Sequence, residues 1–344
     1  MFQPVLHAPG GTLLAQDLRK FYSVPNFIPI SYTSSDGLAL YARDYPAGAD
    51  DAQAVQPAAG LASAPAASQP DAARPVAARP VAARLPVICI HGLTRNSADF
   101  DEFAPAIAAL GRRVLALDVR GRGHSERDPD PSHYTPQVYA EDVAKLMADL
   151  GIARAVFVGT SMGGLITIAL AAQHVDLIAA AVLNDVGPVL SERGLARIAG
   201  YTGKAVALAS WNEAACYVKD INLCAFPDYQ EQEWDKWARR AFEQDAGGRL
   251  APRYDPNIAI ALQSGRLRTT SLASRMAFRR LARKRPVLLV RGALSDLLEE
   301  RQAEWMRRAA PSMEYVEVPN VGHAPMLTEA PALQAIGRFL ASVP

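Results

Sequence analysis

Along most of this chain, two hydrophobic patterns alternate: short continuous apolar runs and stretches with helical spacing. Short apolar runs such as PVICI (86–90) and AVFVG (155–159) are typical of buried β-strands, and each precedes a stretch with helical spacing. Further strands are predicted at 113–118, 178–185, 286–292 and 314–318, and helices at 99–110, 136–150, 161–173, 299–310 and 329–342. Strands that alternate with helices predict a mostly parallel sheet with helices on both faces.

Three segments of different character precede this regular pattern. Residues 1–27 form an N-terminal extension punctuated by prolines, and residues 28–45 predict a β-hairpin with its turn at Ser35-Asp36-Gly37. Residues 46–86 are rich in alanine and proline, lack aromatic residues and contain ARPVA twice. Such a segment cannot bury enough apolar surface to order itself, so we expect a low-complexity insertion in a surface loop.

A second break lies between the strands predicted at 178–185 and 286–292. It has helical spacing, no clear strand and three of the four tryptophans. It therefore predicts a helical cap at 187–275, inserted between two parts of a core domain, 28–186 and 276–344.

Composition and charge exclude several classes of partner. The formal net charge of the 344 residues is +1, which gives no electrostatic reason to expect nucleic acid or an anionic membrane. The cysteines, Cys89, Cys216 and Cys224, lack the spacing of a metal site, and no apolar run is long enough to span a bilayer. Since no secretion signal is recognisable, we expect a cytoplasmic protein. We expect it to be a monomer or a small homo-oligomer.

The most informative stretch is GTSMGG at 159–164, between a predicted strand and a predicted helix. A serine in such a turn projects its hydroxyl above the edge of the sheet, and the helix that starts there points its N-terminal dipole at developing negative charge. Gly159 and Gly163 are needed because side chains there would collide with neighbouring backbone. We interpret Ser161 as a nucleophile.

A serine nucleophile needs a base, and the base needs an orienting carboxylate. His323 follows the last predicted strand, which places it at the same sheet edge as Ser161. Two aspartates compete for the third position: Asp296 follows the strand at 286–292, and Asp185 follows the preceding strand. We expect Asp296 to orient the imidazole, since its position is the commoner one, and Asp185 is the alternative acid.

Backbone N–H groups are expected to stabilise the tetrahedral intermediate. Met162 follows the nucleophile and supplies one donor, and Leu93 supplies the other from the loop HGLTRNS. We expect His91 in that loop to hydrogen-bond backbone and to be architectural. Arg95 and Asn96 follow and are candidate substrate contacts.

Five stretches together resemble motifs of the α/β-hydrolase fold family. They are HGL at 91–93, DVRGRGHS at 118–125, GTSMGG at 159–164, GALSD at 292–296 and GHAP at 322–325. The resemblance covers about 28–186 and 286–342, with the insertion left out. It implies an eight-stranded, mostly parallel sheet with an inserted helical cap, a triad of Ser161, His323 and Asp296, and an acyl-enzyme mechanism without a metal or organic cofactor.

The cap is expected to close over the site and to set specificity. Its aromatic side chains are candidates to line the pocket: Tyr201, Trp211, Tyr217, Phe226, Trp234 and Trp237. Such a lid indicates a small-molecule substrate with an apolar acyl or aryl group. The resemblance favours a hydrolase of carboxylic esters or lactones. The alternatives are a hydrolase of C–C bonds in ring-cleavage products and a ligand-binding protein with little turnover.

Overall fold

The computed structural model describes residues 27–48, 84–204, 206, 208–263 and 271–344. Almost all of the predicted N-terminal extension and most of the predicted insertion lie outside these residues.

An eight-stranded sheet forms the centre of the described structure, as predicted. Its strands and a separate hairpin (β7 and β8) have the bounds β1 Ile28–Thr33, β2 Ala39–Tyr45, β3 Val87–Ile90, β4 Val114–Asp118, β5 Ala155–Thr160, β6 Ile178–Asn184, β7 Phe242–Gln244, β8 Leu250–Pro252, β9 Val287–Gly292 and β10 Glu314–Val318. The spatial order is β1-β2-β4-β3-β5-β6-β9-β10. Strand β2 runs antiparallel to both neighbours, and the other pairs are parallel. The mostly parallel sheet and the predicted β1–β2 hairpin are therefore confirmed.

The helices follow the predicted strand–helix alternation. Their bounds are α1 Phe103–Ala108, α2 Pro136–Asp149, α3 Met162–His174, α4 Glu192–Tyr201, α5 Trp211–Asn222, α6 Glu231–Ala241, α7 Ile258–Gln263, α8 Leu272–Lys284, α9 Glu300–Ala309 and α10 Ala330–Ser342. The helix expected at 99–110 is divided into a 3-10 turn, Ser97–Phe100, and the shorter α1. Asn96 caps that turn with its side chain and so starts it earlier than the apolar spacing indicated.

Alternate residues of the central strands supply the core on opposite faces of the sheet. In β5, Val156 and Val158 pack on the side of α1 and α10, whereas Ala155 and Phe157 pack on the side of α2, α3 and α8. A parallel strand covered on both faces must be apolar at successive positions. This is why short continuous apolar runs marked these strands in the sequence.

The cap lies between β6 and β9 and comprises α4 to α7 with the β7–β8 hairpin. The hairpin corrects the expectation that this stretch contains no strand. Helix α8 packs against α3 of the core, so the predicted cap boundary at residue 275 falls inside a core helix. Within the described ranges, no helix has the length and apolar character needed to cross a bilayer.

Candidate active site

Ser161 occupies a strained turn between β5 and α3. Its backbone angles, φ 51° and ψ −113°, are uncommon for a residue with a side chain. A Cβ on Gly163 would lie 2.0 Å from the Ile90 carbonyl oxygen, and one on Gly159 would lie 2.5 Å from the carbonyl carbon of Gly163. Only glycine allows the strand and helix to approach this closely, and the turn presents Ser161 Oγ at the carboxyl end of β5.

Loops after β5, β6 and β10 bring three side chains into one hydrogen-bonded chain. His323 Nε2 lies 2.8 Å from Ser161 Oγ, and His323 Nδ1 lies 2.7 Å from Asp185 Oδ2. An ionised carboxylate can only accept a hydrogen bond, so Nδ1 carries the ring proton. Nε2 is then unprotonated and accepts from the serine hydroxyl.

The carboxylate beside His323 is that of Asp185, so the structure corrects the prediction that Asp296 contacts the imidazole. Asp296 instead accepts two hydrogen bonds, of 2.6 and 2.8 Å, from Arg197 of cap helix α4. Burial alone would raise the pKa of Asp296, but the hydrogen bonds and charge of Arg197 outweigh it and hold this pKa below its ordinary value. The turn after β9 directs the neighbouring Ser295, and not Asp296, toward the buried acid.

Asp185 is held in place from several sides. It has no exposed surface and a φ of 56°. Its Oδ1 accepts from Gly292 N at 2.9 Å, and its Oδ2 accepts from Ser295 Oγ at 2.6 Å as well as from His323. Its own N–H donates to Val290 O at 2.7 Å. These bonds satisfy a carboxylate that would otherwise be costly to bury.

The predicted oxyanion-hole residues, Leu93 and Met162, both border the space beside Ser161. Met162 is the first residue of α3, so its N–H has no acceptor within the helix. The carbonyl of Leu93 accepts from Arg122 Nε at 2.9 Å, which fixes this part of the loop. The role of the two N–H groups as oxyanion donors stays a prediction.

His91 makes the backbone contacts expected of an architectural residue. Its Nδ1 lies 2.7 Å from the carbonyl oxygen of Gly92, and its Nε2 accepts from Val119 N at 3.1 Å. Burial lowers the pKa of His91 to about 4, so the ring is neutral near pH 7. It connects the loop that carries Leu93 to the end of β4.

Two cavities meet at Ser161. The first, the aromatic cavity, has a volume of about 110 Å³, and its lining includes Arg95, Tyr201, Tyr217, Trp237 and His323. The second, the aliphatic cavity, has a volume of about 50 Å³, and its lining includes Met162, Leu165, Val186, Leu190 and Leu195. Residues of the cap line both cavities, and its role in specificity stays a prediction.

Two of the predicted substrate contacts, Arg95 and Tyr217, line the aromatic cavity. Asn96 does not, which corrects its prediction as a substrate contact. Its Nδ2 donates to the carbonyl of Arg240 in cap helix α6 at 2.7 Å, and its Oδ1 accepts from Ala98 N at 3.0 Å. The side chain therefore joins cap to core and caps a turn.

Trp211 and Trp234 line neither cavity, so their predicted contact with substrate is also corrected. Trp234 is fully buried and stacks on Trp237 with ring centroids 5.9 Å apart. Trp211 packs with the Arg239 guanidinium 4.9 Å from its ring centroid. The wall of the aromatic cavity includes residues that the sequence did not single out, namely Ile198, Asn222, Phe242, Tyr254 and Met326. No sequence signal distinguishes them, because the docking of the cap helices decides which side chains face inward.

Asp36, Asp128 and His133 could in principle hold a metal ion, since their ligand atoms lie within 4.8 Å of one another. Arg120 already occupies this cluster. Its Nη1 donates to Asp36 at 2.8 Å and to Asp128 at 2.5 Å. None of the three lines either cavity, so the cluster gives no metal to the chemistry at the serine.

Comparison with known proteins shows the class to which this fold and site belong. The chain is a member of the alpha/beta hydrolase fold family, whose model matches residues 86–330. A 3-hydroxybutyrate-oligomer hydrolase of Cupriavidus necator is 35% identical over 255 residues, covering 73% of this chain and 86% of that protein. An esterase of Mycobacterium tuberculosis is 28% identical over 255 residues, covering 73% of this chain and 81% of that protein. The crystal structure of an alpha/beta hydrolase from Novosphingobium aromaticivorans is similar with a TM-score of 0.77 at 36% identity, covering 93% of this chain and 99% of that one. The protein is thus a hydrolase of this family.

Proposed function

We propose that the protein is a serine hydrolase that cleaves a small carboxylic ester or lactone through an acyl-enzyme. The observation that carries the proposal is the hydrogen-bonded chain from Asp185 through His323 to Ser161, which ends between two cavities. A nucleophile, a base and an orienting acid at these distances are the parts that acyl transfer requires.

The first half of the reaction forms the acyl-enzyme. Ser161 Oγ attacks the carbonyl carbon while His323 Nε2 accepts the hydroxyl proton. Asp185, bonded to Nδ1–H, stabilises the imidazolium that results. The oxyanion accepts from the N–H groups of Leu93 and Met162, which the N-terminal dipole of α3 reinforces. Collapse of this intermediate breaks the ester C–O bond, and Nε2 returns the proton to the leaving alcohol.

In the second half, water enters where the alcohol has left. His323 removes a proton from the water, whose oxygen attacks the acyl carbon and forms a second tetrahedral intermediate. Protonation of Ser161 Oγ then releases the carboxylic acid and restores the serine. Every proton moves through one imidazole, so the mechanism requires neither a metal nor an organic cofactor.

The named relatives support an ester as the substrate. One is an esterase, and the other is a hydrolase of 3-hydroxybutyrate oligomers. A hydroxy acid forms oligomers through ester bonds between the hydroxyl of one unit and the carboxyl of the next. A small aliphatic ester is therefore the first substrate class to examine, and we expect no nucleic-acid or membrane partner.

The test uses the wild-type protein and a Ser161→Ala variant. Both are incubated with a fluorophosphonate probe and with p-nitrophenyl esters from acetate to octanoate. We expect labelling and ester turnover in the wild type and neither in the variant. Labelling without turnover of any ester would retain an activated serine but shift the reaction toward C–C bond hydrolysis. Absence of labelling would refute the proposal and favour a ligand-binding protein on the same fold.

A further inference from the structure

The two cavities at Ser161 have different relations to the proposed base. His323 is among the residues that line the aromatic cavity, but it is not among those that line the aliphatic cavity. In ester cleavage the base must deliver its proton to the oxygen of the leaving alcohol. We therefore expect the alcohol portion of a substrate to lie in the aromatic cavity and the acyl portion in the aliphatic cavity.

Arg95 and Asp99 both line the aromatic cavity, and one nitrogen of the Arg95 guanidinium is an unused donor. Arg95 Nε and Nη2 donate to Asp99 at 2.7 and 2.6 Å, whereas its Nη1 is buried and has no hydrogen-bond partner among the described residues. The guanidinium carbon lies 4.0 Å from the centroid of the Trp237 ring, which holds the group in one orientation. A buried donor without a partner is costly, and a ligand oxygen at Nη1 would remove that cost.

Arg95 is also close enough to the nucleophile for one substrate to reach both. A methyl group placed on Gly92 would lie 3.5 Å from Arg95 Cγ and 3.8 Å from Ser161 Cβ. The two side chains therefore flank one small space that Gly92 leaves open. Tyr201 borders the same cavity, and burial raises its pKa to about 12, so its hydroxyl is a neutral donor that can assist in binding an anion.

The aliphatic cavity is suited to an uncharged group of limited size. Its volume is about half that of the aromatic cavity, and none of its lining residues is charged. Leu165, Leu190 and Leu195 are among the side chains that line it together with Ser161. The cavity offers a carboxylate no cation, and its only polar side chains besides Ser161 are Tyr134 and Tyr139. A carboxylate in this space would lose much of its hydration, whereas a short alkyl chain would be stabilised.

We infer that the substrate is an ester of a short aliphatic acid with a hydroxy acid, and that the free carboxylate of the hydroxy acid accepts from Arg95 Nη1. This inference rests on the proposed function. The Oγ–acyl bond forms as the bond to the hydroxy-acid oxygen breaks, and that oxygen takes the proton from His323. A hydroxycarboxylate leaves first, and water then releases the short acid. A hydroxybutyrate dimer likewise has a hydroxycarboxylate as its leaving group, which agrees with the named substrate of the Cupriavidus necator relative.

The first arm of the test measures kcat/KM for 3-(butyryloxy)butanoic acid and for its methyl ester, which differ only in the free carboxylate. In the wild type we expect the acid to be preferred by about tenfold or more, because a charge-assisted hydrogen bond is lost in the methyl ester. In Arg95→Gln the preference should disappear, and in Arg95→Lys part of it should remain. The ratio within each variant cancels any general loss of activity.

Arg239→Gln is the matched control, since Arg239 also bonds an aspartate, Asp235, and lies over a tryptophan, but does not line either cavity. It should keep the wild-type ratio. Equal rates for acid and methyl ester in the wild type, or an unchanged ratio in Arg95→Gln, would overturn the inference.

The second arm addresses the acyl side with Leu195→Phe, which narrows the aliphatic cavity. The preferred acyl chain should shorten along the p-nitrophenyl series, while the acid-to-methyl-ester ratio stays as in the wild type. A changed ratio with an unchanged acyl preference would mean that the cavities are assigned the wrong way round. If p-nitrophenyl butyrate is cleaved but neither hydroxy-acid ester is, only the inference fails. If no ester is cleaved and Ser161 is not labelled, the proposed function fails with it.

Discussion

Replacement of Asp185 by asparagine tests which of two carboxylates, Asp185 or Asp296, serves His323. Asparagine has nearly the same shape and can still accept from Gly292 N through its Oδ1. Its amide nitrogen, however, would face His323 Nδ1 as a donor, so the ring proton would move to Nε2. A protonated Nε2 cannot accept from Ser161 Oγ, and the variant would also lack the negative charge that stabilises the imidazolium.

We expect Asp185→Asn to lower kcat by about 10⁴-fold, or about 5.5 kcal/mol in activation free energy. Asp296→Asn should behave differently. This substitution breaks the ion pair between Asp296 and Arg197, which joins the turn after β9 to cap helix α4. The side chains of Asp296 and Arg197 are 17% and 21% exposed. Loss of a partly exposed cap contact should raise KM by less than about tenfold and leave the proton transfer intact.

The assay is steady-state hydrolysis of p-nitrophenyl butyrate, combined with the rate of fluorophosphonate labelling. Thermal melts of each variant separate loss of chemistry from loss of fold. Arg197→Gln and the double variant with Asp296→Asn complete a cycle: if Asp296 acts only through Arg197, the double variant should be no worse than either single one. A 10⁴-fold loss in Asp296→Asn, with Asp185→Asn within tenfold of the wild type, would refute the assignment of the acid.

Two further predictions concern the support of the site. The pKa of His91 is about 4 in the folded protein and 6.5 ordinarily, so between pH 8 and pH 5 only the unfolded chain gains the proton. Over this range the unfolding free energy of the wild type should fall by about 2 kcal/mol more than that of His91→Gln. Urea titration measures both. Equal losses would mean that His91 is protonated in the folded protein. Gly163→Ala should lower the unfolding free energy by about 3 kcal/mol or more, because its Cβ would lie 2.0 Å from Ile90 O. Gly337→Ala in α10 is the control, since its added carbon would have no atom within 4 Å outside the adjacent backbone of its own helix. It should be neutral or slightly stabilising in the same titration. Similar stability of the two alanine variants would count against the close strand–helix packing.

The sequence predicted the sheet well because buried parallel strands require continuous apolar runs. It also predicted the tight turn at Ser161, because that turn requires glycines at fixed positions. It failed at the acid for a physical reason. Asp185 and Asp296 both follow strands that end at the same edge of the sheet. Ser295 and Asp296 are neighbours in the turn after β9, and the backbone of that turn directs Ser295 toward Asp185 and Asp296 toward Arg197. It failed at Trp234 because an aromatic side chain that packs between cap helices has the same local pattern as one that lines a cavity.

The geometry of the proposed triad follows from the register of the core, and this separates it from the cap. Thr160 and Asn184 are paired across β5 and β6, and Asn184 Nδ2 donates to Thr160 Oγ1 at 3.0 Å and to Pro325 O at 2.7 Å. Asn184 O also accepts from Ser161 N at 2.9 Å, so one side chain and its backbone connect the serine turn, the aspartate turn and the histidine loop. Ser161 and Asp185 both have positive φ, a strain that persists only where surrounding contacts enforce it. Because these contacts lie in the sheet and its loops, we expect substitutions on the inner surface of the cap to leave the atoms proposed to react in place.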